Sequence, residues 1–247
     1  MAQERLRMKI KQVKKLYKIL CNFFYFKALL KGVAAGTEHI RLLQNLACRH
    51  VVDIGANCGQ FALISRKCFP DARIDSFEPL AEPADRYEKV FAKDGNVHLH
   101  RLAIGEKKGE ATIHVSRRDD SSSLLPITGA QTTLFPGTGE RETRMIRVAP
   151  LDSALSASEI SKPALLKMDV QGYEMEALRG CKSLIGNFRY IYCECSFIEL
   201  YEGQSLAHEV IDYLYQSGFS LSGVYNMTYD KCSMAVQADF LFRKLEL

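Results

Sequence analysis

The chain has 247 residues, 47% of them hydrophobic and 25% charged, a balance that excludes a disordered chain, a collagen-like repeat and a disulfide-stapled miniprotein. Its net charge of +4 is unevenly spread. Residues 1–31 hold nine Lys/Arg (Arg5, Arg7, Lys9, Lys11, Lys14, Lys15, Lys18, Lys27 and Lys31) against one acid, Glu4, while the remainder is mildly acidic, which argues against a nucleic-acid binder.

Leu6, Ile10, Val13, Tyr17, Leu20 and Phe24 follow a 4-3-4-3-4 spacing, which predicts one amphipathic helix with lysines on its opposite face. Such a helix either packs on its own domain or rests on an anionic membrane surface or a partner. The apolar run 19–30 is too short to span a bilayer. Asn22 and Lys27 interrupt it, which also argues against a secretory signal. Gly32 to Gly36 (GVAAG) reads as a hinge. It divides a basic helical extension, 1–36, from a domain over 37–247.

Thr37 is a candidate cap for a second helix, in which Ile40, Leu43 and Leu46 recur at helical spacing. Strand-like runs follow at Val51–Ile54, Arg73–Phe77, Val97–Leu102, Leu165–Val170 and Ile191–Cys195, with helical runs near 60–69, 81–92 and 173–185. This alternation predicts an α/β fold with a mostly parallel sheet. Ala111–Val115 and Arg144–Val148 predict an inserted strand pair within 110–148, flanking a long polar loop, 116–143. A helix near 205–217 and the strands Phe219–Tyr225 and Asp239–Phe242 close the chain, the last two as an antiparallel pair at the sheet edge.

The eight cysteines form no CxxC pair. They read as small reduced core residues of a cytoplasmic protein, and their spacing argues against a zinc site. His98 and His100 share a strand face without a third ligand, so no metal is expected.

The sharpest local signal is Val51-Val52-Asp53-Ile54-Gly55-Ala56-Asn57-Cys58-Gly59-Gln60, a strand that ends in a tight turn before a helix. Glycine permits close backbone approach to a ligand, and helix-start amides favour a polar or anionic group. The next strand ends in Phe77-Glu78-Pro79, where an acid can accept from both hydroxyls of a ribose. The turn reads GxNxG rather than GxGxxG, and Asp53 before it can meet a cationic amino-acid tail or order the turn. S-adenosylmethionine therefore fits better than NAD(P). A nicotinamide-dependent oxidoreductase and a non-catalytic membrane- or partner-binding module are the competing readings.

Five segments in matching order resemble the FkbM-type S-adenosylmethionine-dependent methyltransferases: Asp53 to Gly59, Phe77 to Pro79, Leu102 to Gly105, Ser121 to Leu124, and Leu166 to Glu174. Glu194 to Gly203 and Gln237 to Leu241 fit as well. The resemblance covers 48–243 but not the first helix. It implies a class I methyltransferase fold, Rossmann-like, with a seven-stranded sheet carrying one antiparallel strand at its edge. It implies O-methylation of a hydroxyl on a sugar, glycan or secondary-metabolite acceptor. Gly55 and Gly59 would approach the methionine portion, Glu78 the ribose with Pro79 beside it, and Ala103 the adenine. Asn57 replaces a glycine of the commonest methyltransferase turn. Gln171 stands where many members have Glu, and is read as non-catalytic.

Methyl transfer requires an aligned nucleophile, exclusion of water and removal of a hydroxyl proton. Groups for this belong at the carboxyl ends of strands. Asp169, Lys167 and Glu194 are the candidate catalytic residues, Asp169 as the acceptor-orienting group or general base, and it also borders the cofactor. Glu194 is expected to assist it or to position Lys167. The alternative makes Asp169 a helix cap, and Lys167 with Glu194 a structural ion pair. Glu174 is assigned to the helix dipole. Arg117, Arg118 and Arg141 are candidates for an anionic substrate, Ser121 to Ser123 for a lid, and Tyr201 and Glu202 for the acceptor cleft.

Overall fold

The computed structural model describes residues 13, 16, 17, 19–118 and 120–245. The first strand, β1 (His50–Ile54), is followed by α3 (Gln60–Cys68), β2 (Arg73–Phe77), α4 (Ala81–Phe91) and β3 (Val97–His100). Ahead of β1 lie α1 (Phe23–Leu30) and α2 (Ile40–Leu43). Then come β4 (Ala103–Ile104), β5 (Gly109–Ser116), α5 (Gly129–Leu134) and β6 (Glu140–Ala149). The chain continues through β7 (Ala164–Met168), α6 (Glu174–Gly180), β8 (Tyr190–Ser196), α7 (Ala207–Gln216), β9 (Phe219–Tyr229) and β10 (Ala235–Lys244).

Seven strands form one sheet in the order β3-β2-β1-β7-β8-β10-β9. The β1–β2, β2–β3, β1–β7 and β7–β8 pairs are parallel. The last strand, β10, runs antiparallel to both β8 and β9, which completes the edge pair. β1 and β7 are buried at every position, as central strands covered on both faces must be. The inserted strands β5 and β6 pair antiparallel and, with β4, make a separate three-stranded sheet. The polar stretch between β5 and β6 is not wholly irregular, because Thr128 caps the short helix α5 through its side chain.

The two faces of the main sheet carry different cores. Val52, Ile54, Leu166, Met168, Ile191, Cys193 and Cys195 point to one face, which α6 and α7 cover. Val51, Leu165, Tyr192 and Leu241 point to the other, against α1, α3 and α4. All eight cysteines are free thiols. Burying each large apolar side chain contributes about 1.5–3 kcal/mol.

The N-terminal extension departs from the periodicity. Of the predicted stripe, Val13, Tyr17, Leu20 and Phe24 are exposed, whereas Ile19, Tyr25 and Ala28 are buried; Leu6 and Ile10 lie outside the described residues. The helix is not continuous, because the Asn22 side chain accepts from the amides of Phe24 and Tyr25 and starts α1 afresh. That cap rotates the buried face. The GVAAG segment is no free hinge either. Val33 and Ala35 are buried in the same core as Val51, and the Gly36 amide donates to Gln60 O at 3.1 Å. Among the described residues no helix is long and apolar enough to cross a membrane.

Candidate active site

A cavity of about 290 Å³ opens at the carboxyl ends of β1, β2 and β7. Connections at that end of a parallel sheet are where open α/β folds bind ligands. Its floor is the turn after β1. Gly55 has φ +75, and a Cβ there would lie 1.9 Å from Asp169 O. Only glycine lets β1 leave the sheet this close to the backbone that follows β7. Asn57 holds φ +47, a conformation Asn tolerates better than most residues, and its side chain accepts from the Cys58 amide at 2.6 Å. Gly59, at φ +91, enters α3 with the Tyr87 and Phe91 rings packed against it, so close that a Cβ would stand 2.8 Å from each. It shapes the turn, and the cavity wall passes through Gly55, Ala56 and Asn57 instead.

Glu78 closes one end. Its Oε2 accepts from Asn57 N at 2.9 Å and its Oε1 from Leu80 N at 2.8 Å. The side chain is buried but still lines the cavity. Burial pushes its carboxyl up to about 7, against the pull of the two backbone amides and Lys167. Each carboxylate oxygen keeps a further lone pair for a hydroxyl donor. Beside it, Pro79, Leu80, Leu102, Ala103, Ile104, Ile113 and Ile146 form an apolar slot. Ile113 and Ile146 come from the inserted sheet, so the insertion builds part of the site.

The opposite end is polar. Lys167 Nζ reaches Asp53 Oδ1 at 3.0 Å, Gly55 O at 3.0 Å and Asp169 Oδ2 at 3.9 Å. These acids hold its charged form above the ordinary lysine range despite burial. Asp53 is fully buried behind the wall, where burial raises its carboxyl and Lys167 opposes the rise. Lys167 is thus positioned by Asp53 and not by Glu194. Glu194 lies between two amides, with Gln237 Nε2 on Oε1 at 2.8 Å and Gln171 Nε2 on Oε2 at 3.0 Å. Burial, and then Asp169 and Asp239, push its carboxyl well above the usual range.

Gln171 is the junction. It donates to Asp169 Oδ1 at 2.7 Å and accepts from Tyr201 Oη at 2.7 Å, while holding φ +56. A non-glycine residue kept there stores roughly 1–3 kcal/mol of strain, and its three side-chain bonds maintain it. Glu174 steadies the same turn through Oε1, which accepts from Val170 N and Gly172 N at 3.1 and 3.2 Å. That contact, rather than a dipole effect alone, explains an acid buried at the start of α6; its carboxyl is raised to about 7, mainly by burial.

Other expectations shift in place. Tyr201 is buried and lies behind the residues that line this cavity; besides Gln171, its hydroxyl bonds Ser121 O at 3.2 Å and accepts from Gln131 Nε2 at 3.3 Å. It ties the 121–135 segment down over the site, where Ser122, Ser123 and Leu124 line the cavity. Glu202 is exposed and anchors that segment through its amide on Pro126 O at 2.9 Å. Arg118 pairs with Asp120 and Arg141 with Glu142, both at 2.9 Å on the surface. His100 Nε2 donates to Asp75 Oδ1, 2.9 Å away. Gly36, Glu38, His39, Gln60 and Phe61 complete the polar end of the wall. The sequence gives no sign of the first three, because nothing local in a Gly-Thr-Glu-His run announces which strand ends it will face.

Strand order and cavity together define a class I methyltransferase: leaving out the small sheet, the strands run 3-2-1-4-5-7-6, and the carboxylate after the second strand faces the glycine turn after the first. The description "Methyltransferase FkbM domain" fits residues 53–221, and the chain belongs to the FkbM methyltransferase family. It is 30% identical over 175 residues to the 2-O-methyltransferase NoeI of Sinorhizobium fredii, covering 66% of this chain and 70% of NoeI. It is 26% identical to the hexuronic acid methyltransferase AglP of Haloferax volcanii, over 58% of this chain and 54% of AglP. The crystal structure of an FkbM methyltransferase from Methylobacillus flagellatus superposes with a TM-score of 0.51 at 16% identity, over 78% of this chain and 43% of that one. The chain therefore spans about half of AglP and less than half of the solved protein.

Proposed function

We propose that the cavity binds S-adenosylmethionine and that the enzyme methylates a hydroxyl of a sugar-type acceptor. The observation that carries this reading is Glu78, a buried carboxylate pinned by two backbone amides beside an apolar slot. That pairing suits a ribose joined to a flat base. The named activities of NoeI and AglP support a sugar hydroxyl as acceptor.

When bound, the cofactor supplies an electrophilic methyl carbon on a sulfonium. Gly55, Asn57, Glu78, Pro79, Ala103 and Asp169 would hold it. Asp53 and Gly59 act one step back, Asp53 by fixing Lys167 and Gly59 by shaping the turn. Asp169, with its side chain partly exposed at the cavity and Oδ1 bonded by Gln171, would orient an acceptor hydroxyl. Lys167 fixes the other carboxylate oxygen and the Gly55 carbonyl. Glu194 supports Gln171, and the segment held by Tyr201 excludes water.

Isothermal titration with S-adenosylhomocysteine tests the reading, and absence of binding at sub-millimolar concentration overturns it. A thermal-shift comparison separates the oxidoreductase alternative, which requires stabilisation by NAD(P) and none by the adenosyl compound.

The exposed apolar side chains Val13, Leu16, Tyr17, Leu20, Phe23 and Leu30, within a strongly basic segment, support peripheral contact with an anionic membrane. Co-sedimentation with phosphatidylserine vesicles should fall when residues 1–31 are removed; equal partitioning of both forms argues against the contact.

A further inference from the structure

We propose that His39 is the general base that removes the acceptor proton, held in its working tautomer by Tyr192 and Asp239. The inference rests on the methyl-transfer reading above and adds a residue to it.

His39 lies in the single 3₁₀ turn Thr37–His39 before α2 and forms part of the cavity wall with Gly55, Lys167, Asp169 and Gln171. Its ring packs edge-on to Phe61 at 5.3 Å, and Lys167 Nζ sits 5.6 Å above the same Phe61 ring. The bonds of Glu78 go to the Asn57 and Leu80 amides, so if Glu78 holds the ribose, His39 is left to face another part of the bound molecule.

Proton bookkeeping around the ring fixes its tautomer. Tyr192 Oη donates to Asp239 Oδ2 at 2.9 Å, so its proton is committed. Tyr192 Oη is then an acceptor for His39 Nδ1, 3.0 Å away. Asn226 Nδ2 lies 3.4 Å from both Nδ1 and Tyr192 Oη, but its short bond, 2.7 Å, goes to Asp239 Oδ2. Nδ1 therefore carries the hydrogen, and Nε2 keeps its lone pair. Among the described residues Nε2 has no protein partner. Asp239 Oδ2, 3.6 Å from Nδ1, stands ready to stabilise the imidazolium. A base oriented by a second group, itself oriented by a carboxylate, is the arrangement activated nucleophiles require.

Asp239 on β10 and the buried Asp53 on β1 interact electrostatically with His39, and Glu38, Lys167 and Asp169 line the same cavity. As the acceptor oxygen bonds to the methyl carbon, the carbon–sulfur bond breaks and leaves its electron pair on sulfur. The hydroxyl proton passes to Nε2, and the sulfonium charge disappears as the imidazolium forms.

The experiment combines a spectrum with kinetics. Long-range ¹H–¹⁵N spectra of the cofactor-free wild-type chain at pH 8 should show His39 as the Nδ1–H tautomer. Tyr192→Phe, which removes the acceptor for that proton, should shift the tautomer balance. His39→Gln should lower kcat/KM by about 10²–10⁴-fold and abolish its acid limb, with the S-adenosylhomocysteine Kd within twofold of wild type. An Nε2–H tautomer in the wild type, full activity of His39→Gln, or a weakened Kd with the acid limb kept would each overturn the assignment. If the variant fails to fold, the wild-type tautomer decides. Loss of cofactor binding in the wild type would instead defeat the methyl-transfer reading itself.

Discussion

Glu78 offers the most quantitative handle on the site. Burial pushes its carboxyl up to about 7 by disfavouring the charge. Ribose hydroxyls donate hydrogen bonds, so they bind the ionised form. Binding below that value must therefore release a proton, and each pH unit costs about tenfold in affinity. The S-adenosylhomocysteine Kd at pH 5.5 should be about 30-fold weaker than at pH 8. Titration calorimetry in buffers of different ionisation enthalpy should register close to one proton released at pH 6. Glu78→Ala removes two charge-assisted bonds worth about 1.5–3 kcal/mol each, or roughly 10²–10⁴-fold in affinity. It also strands the Asn57 and Leu80 amides and should lower the melting temperature. Glu78→Gln retains an acceptor for one amide and should bind weakly with a flat pH profile. A wild-type Kd that does not change between pH 5.5 and 8, without proton release, would refute the placement of the ribose at Glu78.

Four further outcomes follow from the same geometry. Glu174 also titrates near 7 in the folded chain against 4.5 unfolded, so the folded state holds the extra proton and stability falls as pH rises from 4.5 to 7. Glu174→Gln, whose oxygen can still accept from Val170 and Gly172, should remove on the order of 1–3 kcal/mol of that decline in urea titrations; an unchanged slope contradicts the burial effect. Lys167→Met should destabilise by about 3–5 kcal/mol by leaving Asp53 buried and unpaired, and adding Asp53→Asn should restore much of the loss; simple additivity would show that the pair is not coupled. Gly55→Ala, with a Cβ facing Asp169 O at 1.9 Å, should cost about 3 kcal/mol or more, measured by thermal unfolding; a near-neutral change would mean that the turn relaxes freely. Tyr201→Phe should lose about 1–3 kcal/mol and speed amide exchange at Ser121 to Leu124, whereas unaltered exchange would show that the segment is held by other contacts.

Most of the fold is legible in the chain because its signals are local. Alternating apolar runs, the Asp53-to-Gly59 turn and the acid after β2 each lie within a few residues and carry their own conformational preference. The N-terminal helix departs from its periodicity for a local reason too: spacing alone gives no weight to Asn22, whose cap restarts the helix and turns a different face inward. The site is legible only in part. Glu78 and Asp169 follow from strand ends, whereas the apolar slot depends on Ile113 and Ile146 arriving from an insertion.

By itself the sequence determined the order of strands and helices, the backbone freedom of Gly55 and the presence of a carboxylate just after β2. Tertiary structure alone decided which charges meet. Lys167 reaches the Gly55 carbonyl across 112 residues, and His39 reaches Tyr192 across 153. Hydrogen bonds and ion pairs act over about 3 Å, so their partners depend on where the sheet register brings distant segments together, and no spacing along the chain encodes that distance.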